Sequence, residues 1–223
     1  MAGGCSRGFS LIELMIVIAV LAILTSIAVP SLLAARGSAD ETVAVATLRH
    51  LVTCQQQFQH GTRCDVDHDG AGEYGGFLEL SGGQAGRQPR VLEPALLSGA
   101  FRILNAAGEA RSGGYLFRMY LPDGTGAGVG EPHVGFTNDG TVDTDRAEAA
   151  WCCYAWPSQA QGADTRAYCA NQTGFIIATY DGRYAGAGNG PQPDAAFHIA
   201  GSMMGALAVD TPAVDGNVWS PAR

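Results

Sequence analysis

The sequence predicts an α+β protein, with a long N-terminal helix packed on a small, mostly antiparallel sheet. Three observations predict it. Residues 14–35 run for 22 positions without a formal charge. Residues 38–59 continue in good helix formers, with apolar positions three and four apart. Beyond residue 60 the chain changes to short apolar stretches cut by Gly, Pro, Asn and Asp, and all but four of the 31 Gly lie there. A length of 223 residues suits one domain of ordinary size plus an extra element. Composition, 47% apolar and 15% charged, excludes disorder of the whole chain. The 21 acidic residues outweigh 13 basic ones, all of them Arg, for a net charge of −8. An acidic chain without a basic stripe lacks the electrostatic footprint for DNA or RNA, so nucleic acid is not an expected partner.

The apolar run comes first. About 20 apolar residues cross a bilayer as a helix. A secretory signal peptide has a shorter apolar core and gains nothing from a carboxylate at its entrance, where Glu13 sits. A plain anchor explains the length but not Glu13, because an ionisable group at membrane depth is costly and marks a function.

Gly8-Phe9-Ser10-Leu11-Ile12-Glu13, leading directly into the run, resembles the processing motif of type IV pilins and type II secretion pseudopilins. The resemblance implies cleavage after Gly8 by a prepilin peptidase, a leader of residues 1–8, and a mature N-terminus at a methylated Phe9. It also implies that Glu13 is the family's assembly glutamate and that Pro30 is its helix-kinking proline. Elementary electrostatics agrees with the assembly role. A lone carboxylate among packed apolar helices is strongly disfavoured, and a neighbouring subunit's Phe9 amine offsets that cost while setting the register between chains. One basic residue flanks the run on each side, Arg7 and Arg36, so charge asymmetry leaves the orientation open.

Residues 9–36 are thus expected to form the membrane and assembly helix, and residues 37–59 its amphipathic continuation. Ser38 and Glu41 resemble a capping box, and Ala44, Leu48, Leu51, Gln55 and Phe58 form one stripe. A break is expected near Arg36-Gly37, since Gly weakens a helix interior by about 0.5–1 kcal/mol. Residues 60–223 form the head. In it, residues 93–98 read as a short helix with Pro94 in its first turn, and residues 114–121, 133–137, 150–156 and 174–180 read as strands. The Gly-, Pro- and Ala-rich tail from Ala185 reads as extended over the surface.

Asp65, Asp67 and Asp69 alternate in a tight loop ending at Gly70, and Glu73 follows. Such a loop directs several oxygens at a hard cation such as Ca²⁺, although the twelfth position is Gly76 rather than the bidentate Glu of an EF-hand. The plain alternative is a solvated acidic turn, the favoured reading for the looser cluster of Asn138, Asp139, Asp143 and Asp145. Six Cys suggest an oxidising compartment. Removal of the leader takes Cys5 and leaves Cys54, Cys64, Cys152, Cys153 and Cys169, an odd number. Local pairing joins Cys54 to Cys64, and Cys152 or Cys153 to Cys169. Zinc is disfavoured because no C-x-x-C spacing exists. Asn171-Gln172-Thr173 matches a glycosylation sequon, without meaning in a bacterial protein.

No nucleophile elbow, phosphate loop or paired catalytic carboxylates are found, so an enzyme is not expected. The expectation is a filament subunit, favoured as a type II secretion pseudopilin over a pilus subunit on the strength of the acidic loop and the aromatic-bearing sheet. It would sit in the bacterial inner membrane with its head in the periplasm, then join copies of itself and other pilin-like subunits through an inner-membrane assembly platform. The alternative is a membrane-anchored extracytoplasmic enzyme or ligand-binding head on a pilin-type anchor.

Overall fold

The structure, a computed structural model, describes residues 9–159, 165–180 and 182–222. The leader, with Gly8 and Cys5, lies outside the described residues. The chain divides into two compact units, Met1–Ala39 and Asp40–Arg223.

In the first unit the described chain is almost wholly helical, as the start of α1 (Leu11–His60). Every large apolar side chain from Phe9 to Leu33 is exposed. The helix is apolar all round and long enough to cross a membrane. Two hydroxyls in the run are satisfied locally: Thr25 Oγ1 donates to the Leu21 carbonyl at 2.9 Å and Ser26 Oγ to the Ile23 carbonyl at 2.7 Å. Pro30 lies within the helix. The break expected near Arg36-Gly37 is absent, and Ser38 is an interior helical residue rather than a cap. One helical Gly costs about 0.5–1 kcal/mol, whereas interrupting a helix orphans up to four amides and four carbonyls.

The second unit is α+β. Its sheet has the order β1 (Glu109–Ser112), β2 (Tyr115–Pro122), β4 (Cys152–Pro157), β5 (Ala167–Asn171), β6 (Ile176–Thr179), β7 (Ser220–Pro221), with β3 (Gly128–Gly130) also paired to β2. All pairings are antiparallel. Side chains alternate between two cores, as the period of two in a strand requires. Tyr115, Phe117, Met119 and Leu121 of β2, Cys153 and Ala155 of β4, and Tyr168 and Ala170 of β5 face one core. Ala44, Leu48, Leu51 and Phe58 of α1 pack into that same core, which is the stripe read from the sequence. Gln55 belongs to the stripe although it is polar. Its side chain pairs with Gly75 as a backbone would, donating to the Gly75 carbonyl at 2.7 Å and accepting from the Gly75 amide at 2.9 Å.

The opposite face of the sheet carries Leu116, Tyr120, Cys152, Tyr154, Trp156, Cys169 and Ile177. Strands buried on both faces need a second cover, and the C-terminal segment supplies it. Ala195, Ala196, Phe197, Met203 and Trp219 are buried there, and β7 closes the sheet edge. The tail is therefore a core-forming layer, not an extended surface segment. Buried apolar side chains decide its course despite the Gly and Pro content that suggested a loose tail.

Two further expectations fail. Residues 93–98 form no helix, because the Leu96 and Leu97 amides both donate to the Leu80 carbonyl at 3.0 Å. Nearby regular structure is instead α2 (Phe77–Leu80) and a 3-10 turn at Gly99–Arg102. Residues 133–137 are not a strand, since Gly135 adopts φ 79° and its amide closes a turn onto the Pro132 carbonyl at 2.8 Å.

Candidate functional site

The acidic loop follows directly on the end of α1. Thr62, His68 and Gly70 take left-handed backbone conformations and fold it tightly. The Glu73 amide donates to the Cys64 carbonyl at 2.9 Å, closing its base. Gly72 permits the return, because a Cβ there would lie 2.0 Å from the Gln59 carbonyl oxygen. Within the loop, carboxylates of Asp65, Asp67 and Asp69 accept from the amides of Gly70, Asp69 and Ala71 respectively, at 3.3, 3.3 and 2.7 Å.

The structure brings Asp65, Asp67 and Asp69 together, with one oxygen of each within 4.8 Å of the others. It does not bring Glu73 to them. Glu73 is fully buried and its carboxylate pairs with Arg87, while also accepting from the Val66 amide at 2.9 Å. Burial pushes the Glu73 carboxyl upward against the opposing pull of Arg87. Its part is to hold the loop from beneath, not to face a cation beside the three Asp.

Two other carboxylates approach the loop where Glu73 does not: Asp145, read from the sequence as part of the looser, solvated cluster, and Glu148, which sequence reading did not select. Asp145 and Glu148 of α3 (Thr144–Ala149) form a second group with Asp67, again within 4.8 Å. Asp143 caps this helix by accepting from the Arg146 amide at 2.9 Å. The signal was present as an Asp N-cap followed by helix formers, with Asp145 and Glu148 three apart on one face. Asp65 Oδ1 and Glu148 Oε1 are buried atoms with no hydrogen-bond partner among the described residues. Burial and then the neighbouring Asp69, Asp67 and Asp145 push the Glu148 carboxyl upward. A cavity of about 450 Å³, lined by Gln59, His60, Gly72, Asp145 and Glu148 among others, adjoins the group. Oxygen-only ligands of this kind suit a hard cation. Asn138 and Asp139 lie elsewhere in role: Asp139 accepts from Thr137 and Thr141 in its own turn, and those bonds hold its carboxyl low.

None of the expected disulfides is present among the described residues. All five described Cys are buried free thiols. Cys54 Sγ donates to the Leu96 carbonyl at 3.1 Å, and the Cys64 thiol meets Glu73 at 3.7 Å. In the sheet the partner opposite Cys169 is Tyr154, so Cys152 is only a diagonal neighbour on the same face and Cys153 points to the other face. Diagonal pairs stand roughly 7–8 Å apart, beyond the approximately 3.5–4.5 Å Cβ separation of a disulfide. Burial pushes the Cys54 thiol up to about 11, which leaves it a poor nucleophile.

At the other end of the chain, Phe9 and Glu13 stand at the start of α1, with the Glu13 amide donating to the Ser10 carbonyl at 3.1 Å. Residues 4–29 match the prokaryotic N-terminal methylation motif. Over 54 residues the chain is 50% identical to the type IV wide pilus major component PilA4 of Thermus thermophilus, a stretch covering 24% of this chain and 41% of that protein. The match thus spans less than half the length of that relative. No solved structure matches the chain. The resemblance read from Gly8, Phe9 and Glu13 holds for the N-terminal region: the chain carries a pilin-type methylation motif.

Proposed function

We propose that this protein is a structural subunit of a pilin-type filament rather than an enzyme. The observation that carries the reading is the N-terminal motif, in register with a fully exposed apolar helix and similar to a pilus component over that region. On this reading a prepilin peptidase cuts after Gly8 and Phe9 is methylated. The apolar segment holds the subunit in the bacterial inner membrane with its head in the periplasm. An assembly platform then passes it into a filament of like subunits. The apolar surface of residues 9–36, exposed in the single chain, is covered first by lipid and then by neighbouring helices. Because the relative is described as a pilus component, a type IV pilus is the preferred machine. A type II secretion filament is the second reading, favoured by the acidic loop.

The test is filament incorporation. Glu13→Ala and Glu13→Gln should leave an inserted, folded monomer that enters filaments poorly, because the carboxylate's partner is another chain's amine. Normal incorporation of both variants contradicts the pairing.

Ca²⁺ binding at the acidic loop is part of the proposal, with Asp65, Asp67, Asp69, Asp145 and Glu148 as the donor set. A cation bound only to the folded state adds RT ln(1 + [L]/Kd), about 2.7 kcal/mol at a hundredfold excess over Kd. Melting should therefore rise in millimolar Ca²⁺ over chelator, with Mg²⁺ a poor substitute. Asp67→Ala should remove most of the difference. Identical curves at constant ionic strength contradict it.

A further inference from the structure

Away from the acidic loop, three carboxylates surround one guanidinium. Glu73, Glu79 and Glu131 are each 0% exposed, and Arg87 is 8% exposed. Arg87 is fully committed to two of them. Its Nη1 pairs with Glu73, while Nη2 and Nε reach Glu79 at 3.1 and 3.2 Å. Glu131 has no such partner: among the described residues no Arg or His nitrogen lies within ion-pair distance of it. The chain contains no Lys. Its carboxyl accepts the amides of Phe77 and Leu78, at 2.5 and 3.0 Å, and so anchors the first turn of α2. The charged and titratable groups that face it are Glu79 of α2, Arg87 from the loop after α2, and Cys153 of β4. The approach is close, since a Cβ on Gly76 would lie 2.6 Å from Glu131 Oε1.

With all three carboxylates ionised the cluster would hold two uncompensated negative charges out of contact with water. Burying a charged group without a partner is strongly unfavourable, and the group neutralises instead. The two amides offset part of that cost, but they do not supply a cation.

We propose that Glu131 is a proton-binding site in the folded head, so that the head takes up a proton there at neutral pH and is tightened by acidification. The neutral carboxyl keeps its hold on α2 while its repulsion with Glu79 is relieved. Burial, the largest influence, pushes Glu131 from the usual 4.5 up to about 8, in line with the geometry. The folded state then binds more protons than the unfolded state between these values. Stability from this residue is present at low pH and is lost as pH rises through that window, the reverse of ordinary acid denaturation.

The experiment uses the full chain in detergent micelles at constant ionic strength, with glutamate side-chain carboxyls labelled with ¹³C. One glutamate signal should titrate in the neutral range, and the melting temperature should fall between about pH 5 and about pH 9. In Glu131→Gln the signal should vanish and the fall should flatten. If that variant fails to fold, the labelled wild-type chain still decides whether any glutamate titrates there. Complete ionisation of every glutamate by about pH 6, or persistence of the neutral titration in folded Glu131→Gln, overturns the proposal.

Discussion

At the scale of single residues, buried polar groups tie the loops of this head together. Arg87 ties the base of the acidic loop, through Glu73, to α2, through Glu79, and donates to the Tyr74 carbonyl at 2.6 Å. Removing one partner from a buried ion pair leaves uncompensated charge and costs about 3–5 kcal/mol. Arg87→Met should lower the unfolding free energy by that order in denaturant titration of the full chain in micelles. A loss under 1 kcal/mol would mean the cluster is no more than a surface-like pair. Little of this was legible in the sequence. Glu73 stands four residues after Asp69 and reads as part of the same acidic run, and only the distant Arg87 turns it inward. The alternating Asp residues, by contrast, declare their own proximity, because a tight loop brings such neighbours together whatever the rest of the fold does.

At the scale of elements, local pattern and long-range packing divide the outcome. The stripe on α1 and the strands β2, β4 and β6 were legible, because their apolar residues recur at the helical period or run continuously through a strand. β1, β5 and β7 were not, since Glu109–Ser112, Ala167–Asn171 and Ser220–Pro221 carry small or polar residues whose pairing depends on neighbours far along the chain. The C-terminal layer was missed for the same reason: its buried residues are scattered among Gly and Pro without a period. Trp219 is its main anchor, fully buried and stacked edge-on to Tyr154 at 5.9 Å between ring centres. Trp219→Ala should cost about 3–5 kcal/mol and make the segment after Ala185 an early site of limited proteolysis, while the core shared with α1 stays protected. Unchanged proteolysis would show that the segment does not depend on this contact.

At the scale of the whole molecule, two surfaces contrast. The head satisfies its own apolar groups on both faces of the sheet. The stretch from Phe9 to Leu33 satisfies none, with every large apolar side chain open. At roughly 25 cal/mol per Å² of apolar surface, such a helix is stable only in lipid or among other helices. On the proposed reading, the membrane supplies the first environment and filament assembly the second, with Glu13 as the charge that makes the exchange selective. Where the mature chain begins separates a processed filament subunit from a protein with an ordinary signal peptide. Mass spectrometry of the protein recovered from cell-surface filaments should find an N-terminal Phe9 carrying one methyl group, and Gly8→Val should retain the leader and stay out of filaments. A mature N-terminus at or beyond residue 35, or an intact Met1 in assembled filaments, would contradict the processed-subunit reading.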